Sequence, residues 1–156
     1  MGQCIAVVSG KGGTGKTSFT AGVGAALALS GLRVLCVDCD IGLRNLDIAL
    51  GLSDAALMDF SDVAQQRCTL ERAVVSHPQL AKLSLLTAPI RQRGQPVTGE
   101  QMASLLRAVR IQYDFCLLDA PAGLGDGFLL ATAAADRCVV VTTADASSLR
   151  DAQHTV

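Results

Sequence analysis

The chain lacks any excess of basic residues. Its 156 residues include 13 Lys and Arg against 14 Asp and Glu, which gives a formal net charge of −1. Proteins that bind nucleic acid through its phosphates normally carry a basic stripe, because Lys and Arg make those contacts. The composition therefore argues against a nucleic-acid partner.

A hydrophobic run long enough to cross a bilayer is also missing. The longest stretch without a charged residue, residues 17–32, includes Gly22 and Gly24 and is shorter than the roughly 20 apolar residues of a transmembrane helix. We expect no targeting segment before the first predicted strand, and no repeat or low-complexity linker interrupts the chain. We expect one cytoplasmic domain over residues 1–156, with enough apolar residues to form a sizeable core.

Six cysteines are present, and two of them form a CxxC pair. Cys36 and Cys39 lie in a predicted strand, where positions three apart face opposite sides of the sheet and cannot hold one metal ion without a bend. Buried thiols are the better interpretation, and in a cytoplasmic protein we expect them to stay reduced.

Residues 10–17 read GKGGTGKT and fit the phosphate-loop pattern GxxxxGK(S/T). The loop follows an apolar run at residues 4–8, typical of a buried strand, and precedes a helical pattern at residues 17–30. This order directs free backbone N–H groups and the positive end of a helix dipole at an anion. Lys16 is then placed to reach the β- and γ-phosphates of a nucleotide, and the Thr17 hydroxyl to bind Mg²⁺.

Carboxylates also lie at or just after the ends of two further predicted strands. Residues 33–39 are followed by Asp40, and residues 114–119 end in Asp119. Because hard cations take oxygen ligands, we expect Asp119 to hold Mg²⁺ through water, with the acids of the other strand close by. Gly123 follows in a flexible loop whose backbone N–H groups are placed to sense the γ-phosphate.

The second lysine of the phosphate loop, Lys11, makes the motif more specific. The sequence KGGTGKTS resembles the deviant Walker A motif of the MinD/ParA family of ATPases. Residues 40–47, DIGLRNLD, and residues 119–128, DAPAGLGDGF, are similar to the two switch regions of the MinD branch of that family. The likeness continues through residues 135–152 and covers essentially the whole chain, which it identifies as the amino-terminal part of a longer family chain.

This resemblance implies roles for several residues. Lys11 reaches across an ATP-bound homodimer to the partner's nucleotide, and Asp40 positions or activates the attacking water. Asp38 is implied to assist Mg²⁺ indirectly, although a strand-end carboxylate that caps the next turn is an equal alternative. The predicted site comprises catalytic Lys11, Lys16 and Asp40; ATP contacts at Lys11, Gly12, Gly13, Thr14, Gly15, Lys16, Thr17, Ser18 and Gly123; and Mg²⁺ contacts at Thr17, Asp38 and Asp119.

The resemblance also implies a function. In this family branch, ATP binding and hydrolysis drive a dimerisation switch that regulates where the bacterial division septum forms. The implied partners are a second copy of the chain and the division-inhibitor and ATPase-activating proteins of the Min system. A carboxyl-terminal amphipathic helix attaches such proteins to the inner face of the cell membrane, and no basic amphipathic tail of that kind is found among these residues.

Two alternatives remain open. ATPases that regulate flagellar number or partition DNA have the same chemistry with different partners. A non-catalytic fragment that engages a partner through its switch surface belongs to a different functional class.

Short apolar strands are predicted at residues 4–8, 33–39, 83–87, 114–119 and 139–143, with helical segments between them. This alternation predicts an α/β fold of three layers, with a mainly parallel sheet covered on both faces and ligands at the carboxyl ends of the strands. Together with the motifs it indicates the phosphate-loop NTPase fold, truncated after the fifth strand.

Overall fold

A computed structural model describes all 156 residues. The strands are β1 (Gln3–Val8), β2 (Val34–Asp38), β3 (Val75–Ser76), β4 (Leu83–Leu86), β5 (Phe115–Asp119) and β6 (Arg137–Val140). The helices are α1 (Lys16–Leu29), α2 (Asn45–Ala49), α3 (Phe60–Ala64), α4 (Leu70–Ala73), α5 (Gly99–Gln112), α6 (Asp126–Ala133) and α7 (Ala146–Thr155). None of these helices combines the length and the apolar character needed to span a membrane.

The six strands form one sheet in the order β3-β4-β2-β5-β1-β6. All neighbouring strands run parallel except β3, which is antiparallel to β4. The carboxyl ends of β1, β2 and β5 therefore meet at one edge of the sheet, where ligands bind in open α/β folds. The predicted α/β fold with a mainly parallel sheet is confirmed.

Two details of the predicted strands were wrong. β3 was not predicted, because two residues are too few to show the alternation of a strand. The last strand was predicted at residues 139–143, whereas β6 spans Arg137–Val140. Its neighbour β1 ends at Val8, whose oxygen accepts the N–H of Val141 at 2.8 Å, and beyond that point β1 offers no residue for pairing.

Helices cover both faces of the sheet. One face, under α3 to α6, holds a core of 20 buried residues that includes Phe60 and Met102. The other face, under α1 and α2, holds a core of 10 buried residues that includes Leu46. Cys39 belongs to the first core and Cys36 to the second, so the two cysteines of the CxxC pair face opposite sides, as predicted.

α1 lies so close to the sheet that Gly24 has no room for a side chain. A Cβ atom at Gly24 would lie 2.7 Å from Sγ of Cys36 and 3.4 Å from Cδ1 of Leu83. We expect Gly24→Ala to lower the free energy of unfolding by about 1–3 kcal/mol, the usual effect of overpacking a core. Urea unfolding followed by circular dichroism measures the change.

Gly22 provides the matched control for this prediction. It lies on the exposed side of the same helix, and a Cβ atom there would meet nothing within 4 Å. Gly22→Ala is expected to raise the free energy of unfolding by about 0.5–1 kcal/mol, because alanine restricts the unfolded chain and favours the helix. Equal shifts in the two variants would contradict the close packing of α1 at Gly24.

Candidate functional site

The loop between β1 and α1 forms a pocket at the carboxyl edge of the sheet. Gly13 and Gly15 have φ angles of 75° and 88°, in the left-handed region that favours glycine. The N–H groups of the first turn of α1 have no intrahelical partner, and no side chain caps them. The pocket has a volume of about 310 Å³ and is lined by Ser9, Gly12, Gly13, Thr14, Gly15, Lys16, Thr17, Ser18, Asp40, Leu43, Asn45 and Ala122.

Three of the predicted residues meet where α1 begins. Nζ of Lys16 lies 3.1 Å from Oδ1 of Asp119, and the Thr17 hydroxyl donates to Oδ2 of Asp119 at 2.7 Å. The Lys16 side chain is 10% exposed and that of Asp119 is 3% exposed, so the ion pair is largely shielded from solvent. A hydroxyl and a carboxylate thus stand side by side, and these are oxygen ligands that suit Mg²⁺.

Sequence reasoning missed a fourth member of this cluster, Thr20. It lies one turn further along α1 and is fully buried, with its hydroxyl 2.9 Å from the Lys16 oxygen and 3.5 Å from Oδ1 of Asp119. Its spacing of four residues from Lys16 places it on the same helix face, and that spacing was the available signal.

Asp38 lies at the end of β2, directly beside Asp119 in the register of the sheet. Burial raises the pKa of Asp38 to about 6; two backbone hydrogen bonds oppose this rise, and the nearby Asp119 charge contributes to it. Oδ1 of Asp38 accepts the N–H of Asp40 at 2.9 Å, and Oδ2 accepts the N–H of Leu46 at 3.1 Å. Both oxygens therefore bond to the backbone that follows β2, the arrangement expected of a carboxylate that caps the next turn.

Asp40 is half-buried and lines the pocket. Burial raises the pKa of Asp40, and the positive charge of Lys16 partly opposes that effect. Leu43 and Asn45, from the same segment, also line the pocket, although sequence reasoning had not singled them out individually. The signal for both was the DIGLRNLD motif that contains them.

Lys11 does not line the pocket. Its Nζ lies 3.5 Å from Oδ1 of Asp145, the residue that caps the start of α7. Hydrogen bonds from Thr143 and Ser148 hold the pKa of Asp145 well below its ordinary value. This contact between α7 and the phosphate loop was not predicted, because it depends on how two distant segments pack.

The other predicted ATP contacts lie in the phosphate loop, in the first turn of α1 and in the loop after β5. Gly123, in the last of these, has a φ angle of 84°, and its N–H donates to the backbone oxygen of Ser9 at 3.3 Å. Gly123 does not line the pocket, whereas its neighbour Ala122 does. Sequence reasoning also missed Ser9. Its hydroxyl donates to the backbone oxygen of Lys11 at 2.8 Å and so stabilises the conformation of the phosphate loop. Seven predicted ATP contacts line the pocket: Gly12, Gly13, Thr14, Gly15, Lys16, Thr17 and Ser18.

The chain resembles known proteins in both sequence and fold. A ParA family model, described as NUBPL iron-transfer P-loop NTPase, matches residues 1–156. The septum site-determining protein MinD of Synechocystis is 41% identical over 156 residues, which is 100% of this chain. The MinC:MinD cell division protein complex of Aquifex aeolicus superposes with a TM-score of 0.89 at 38% identity over 99% of this chain. MinD of Pyrococcus horikoshii complexed with Mg-ADP superposes with a TM-score of 0.83 at 32% identity over 97%.

The chain spans about three fifths of these proteins. It covers 59% of the Synechocystis protein and 62% of each of the two solved chains. Within that part the resemblance to MinD proteins runs along the whole chain, which confirms the family resemblance predicted from the motifs.

Proposed function

Because the chain belongs to the ParA family of P-loop NTPases, we propose that it binds ATP with Mg²⁺ and that ATP hydrolysis switches a homodimer which regulates septum placement. One observation carries the proposal: Lys16, Thr17 and Asp119 meet beside a glycine-rich loop at the uncapped start of a helix. In phosphate-loop proteins, groups of these kinds bind phosphate and Mg²⁺. Septum placement is proposed from the relatives, which are named septum site-determining and cell division proteins.

Nucleotide binding requires Lys16 to change its partner. In the structure Lys16 is paired with Asp119. Its ammonium group must leave that carboxylate to reach the β- and γ-phosphates, and the free N–H groups at the start of α1 hold the same phosphates. Mg²⁺, when bound, neutralises phosphate charge during transfer. Thr17 and Asp119 would hold the ion, because the departure of Lys16 leaves the Asp119 carboxylate available.

Asp40 is placed to orient the attacking water. Among the residues that line the pocket it is the one carboxylate. A carboxylate in this position accepts a hydrogen bond from water and directs its oxygen toward the γ-phosphate. Burial raises the pKa of Asp40 and so makes the carboxylate a stronger proton acceptor.

The ion pair of Lys11 does not prevent this lysine from acting on a second chain. Its ion pair with Asp145 joins side chains that are 41% and 54% exposed. Exposed pairs of this kind contribute little to stability, so exchange of Asp145 for a phosphate group is not strongly opposed. We propose that Lys11 of each chain stabilises phosphate charge in the other chain, and that hydrolysis removes this contact and separates the dimer.

The proposed partners follow from the relatives and the family resemblance. One solved relative is a MinC:MinD complex, and we propose a division inhibitor of that kind as a partner, together with an ATPase-activating protein of the Min system. Attachment to the inner face of the cell membrane is proposed only for a full-length protein that carries a carboxyl-terminal amphipathic helix.

Lys11→Ala tests the switch separately from nucleotide binding. We expect the variant to bind ATP nearly as well as the wild type but to stay monomeric with Mg²⁺ and a non-hydrolysable ATP analogue, because the contact to the partner's phosphate is lost. Size-exclusion chromatography with light scattering measures the mass. Lys82→Ala is the matched control, since Lys82 bonds to the Gly31 oxygen at the opposite end of α1.

Two outcomes contradict the proposed switch. One is a nucleotide-dependent dimer of Lys11→Ala that matches that of Lys82→Ala. The other is a wild-type chain that binds ATP and Mg²⁺ at saturating concentration and remains a monomer.

A further inference from the structure

One buried side chain holds both ends of the segment that carries Asp40. Asp38 is 1% exposed, and its two carboxylate oxygens accept the N–H groups of Asp40 and Leu46. Asp40 opens the segment that leaves β2, and Leu46 is the second residue of α2, where that segment ends. Residues 40–46 thus form a loop that is closed at both ends by the same carboxylate.

Few other polar contacts hold this loop, apart from an ion pair between Arg44 and Asp47 at 3.5 Å. Gly42 and Arg44 have φ angles of 97° and 46°, and a left-handed conformation is unfavourable for a residue such as arginine. The Gly42 N–H donates to the Pro89 oxygen at 3.1 Å, whereas the Arg44 N–H lies 3.5 Å from the oxygen of Asp40, inside the loop itself. Leu43 is 65% exposed. The position of the loop therefore depends strongly on the two hydrogen bonds to Asp38.

We propose that Asp38 is a positioning residue that holds both ends of residues 40–46 and thereby sets the place of Asp40 in the pocket. It acts through Asp40 and does not assist Mg²⁺. The catalytic part of this inference rests on the proposed function, because it assigns the attacking water to Asp40.

A carboxylate is the side chain that suits this task. The two N–H groups need two acceptors, and aspartate offers an acceptor at each oxygen, whereas asparagine offers one oxygen and one NH₂ group. Hydrogen bonds to an ionised acceptor are also stronger than those between neutral groups.

Amide hydrogen exchange in the nucleotide-free chain, followed by NMR, tests the clamp without any ligand. Asp38→Asn keeps one acceptor and turns an NH₂ group toward the other backbone N–H. We expect exchange at the Asp40 and Leu46 amides to become at least about tenfold faster, since each bond to the charged acceptor is lost or weakened. The variant is expected to fold, because asparagine has nearly the same shape and removes a buried charge beside Asp119.

Asp62→Asn is the matched control. Asp62 is another buried carboxylate that accepts a backbone N–H, that of Asp59 at 3.1 Å, but it lies in α3 and bonds to no residue of the 40–46 loop. Its substitution leaves both bonds of Asp38 in place. Exchange at the Asp40 and Leu46 amides should therefore stay at the wild-type rate.

A second readout separates the clamp from a role at the metal ion. Mg²⁺ is titrated by calorimetry into the chain saturated with ADP, and Asp38→Asn should leave the affinity for Mg²⁺ unchanged. Faster exchange at both amides with unchanged Mg²⁺ affinity supports the clamp. Unchanged exchange, or a weakened affinity for Mg²⁺, overturns it.

The rate of ATP turnover by Asp38→Asn measures the catalytic effect of displacing Asp40. With Asp40 displaced, kcat is expected to fall about a hundredfold while KM for ATP is kept, because misplacement of a catalytic group by about 1 Å has an effect of that size. If the chain bound no nucleotide at all, the proposed function would fail. The exchange rates of the nucleotide-free chain would still decide whether Asp38 holds the loop.

Discussion

Lys16→Ala is expected to weaken ATP binding by about a hundredfold or more, the effect of losing charge-assisted contacts to phosphate. The chain has three lysines, and Lys16 is the one that lines the pocket. The other phosphate contacts of the loop are backbone N–H groups, which carry no full charge. Fluorescence anisotropy of a labelled ATP analogue measures the affinity, with Lys82→Ala as the control that should bind like the wild type.

Stability must be checked in this variant, because Lys16 also neutralises Asp119. The Asp119 side chain is 3% exposed, and a buried carboxylate without its cation destabilises the folded state. Lys16→Gln keeps a hydrogen-bond donor next to Asp119 and should remain folded by circular dichroism while it loses ATP binding. Wild-type affinity in a folded Lys16→Gln variant would refute the assignment of the phosphate site.

Asp40→Asn is expected to reduce ATP turnover by about 10²–10⁴-fold and to leave ATP affinity nearly unchanged. Asparagine has the same shape as aspartate but cannot accept a proton from the attacking water. The Asp38 bond is kept, since it uses the backbone N–H of residue 40 and not its side chain. Phosphate release measured over a range of ATP concentrations gives both kcat and KM.

Asp54→Asn is the matched control for turnover. Asp54 is an exposed aspartate that lines neither the pocket nor the Lys16 cluster, and its φ angle of 59° is one that asparagine adopts readily. Its kcat should equal that of the wild type. If Asp40→Asn kept wild-type turnover, the attacking water would have to be oriented by another group.

The parts of the site that depend on the succession of motifs along the chain could be predicted from the sequence. The phosphate loop lies between a strand pattern and a helix pattern, and this order is enough to place Lys16 and Thr17 at a helix start. Asp119 could be predicted because it ends an apolar strand pattern, and the carboxyl ends of parallel strands lie at the same edge of a sheet. The sheet itself followed from the alternation of apolar strands with helices, apart from the two-residue strand β3.

Other features depended on packing between distant segments. The pairing of Lys11 with Asp145 requires α7 to lie against the phosphate loop, where Asp151 leaves no room for a side chain at Gly10. No short-range pattern encodes such a contact. The role of Asp38 was left open between two alternatives because its hydrogen-bond partners, the N–H groups of Asp40 and Leu46, depend on the path of the loop.

The most direct test of a nucleotide site at the phosphate loop is a crystal structure of this chain with Mg²⁺ and a non-hydrolysable ATP analogue. The phosphates should lie over the start of α1, with Nζ of Lys16 moved from Asp119 to the phosphate oxygens and Mg²⁺ beside Thr17 and Asp119. A nucleotide bound elsewhere, or a Lys16 still paired with Asp119 while the nucleotide is present, would contradict the proposed site.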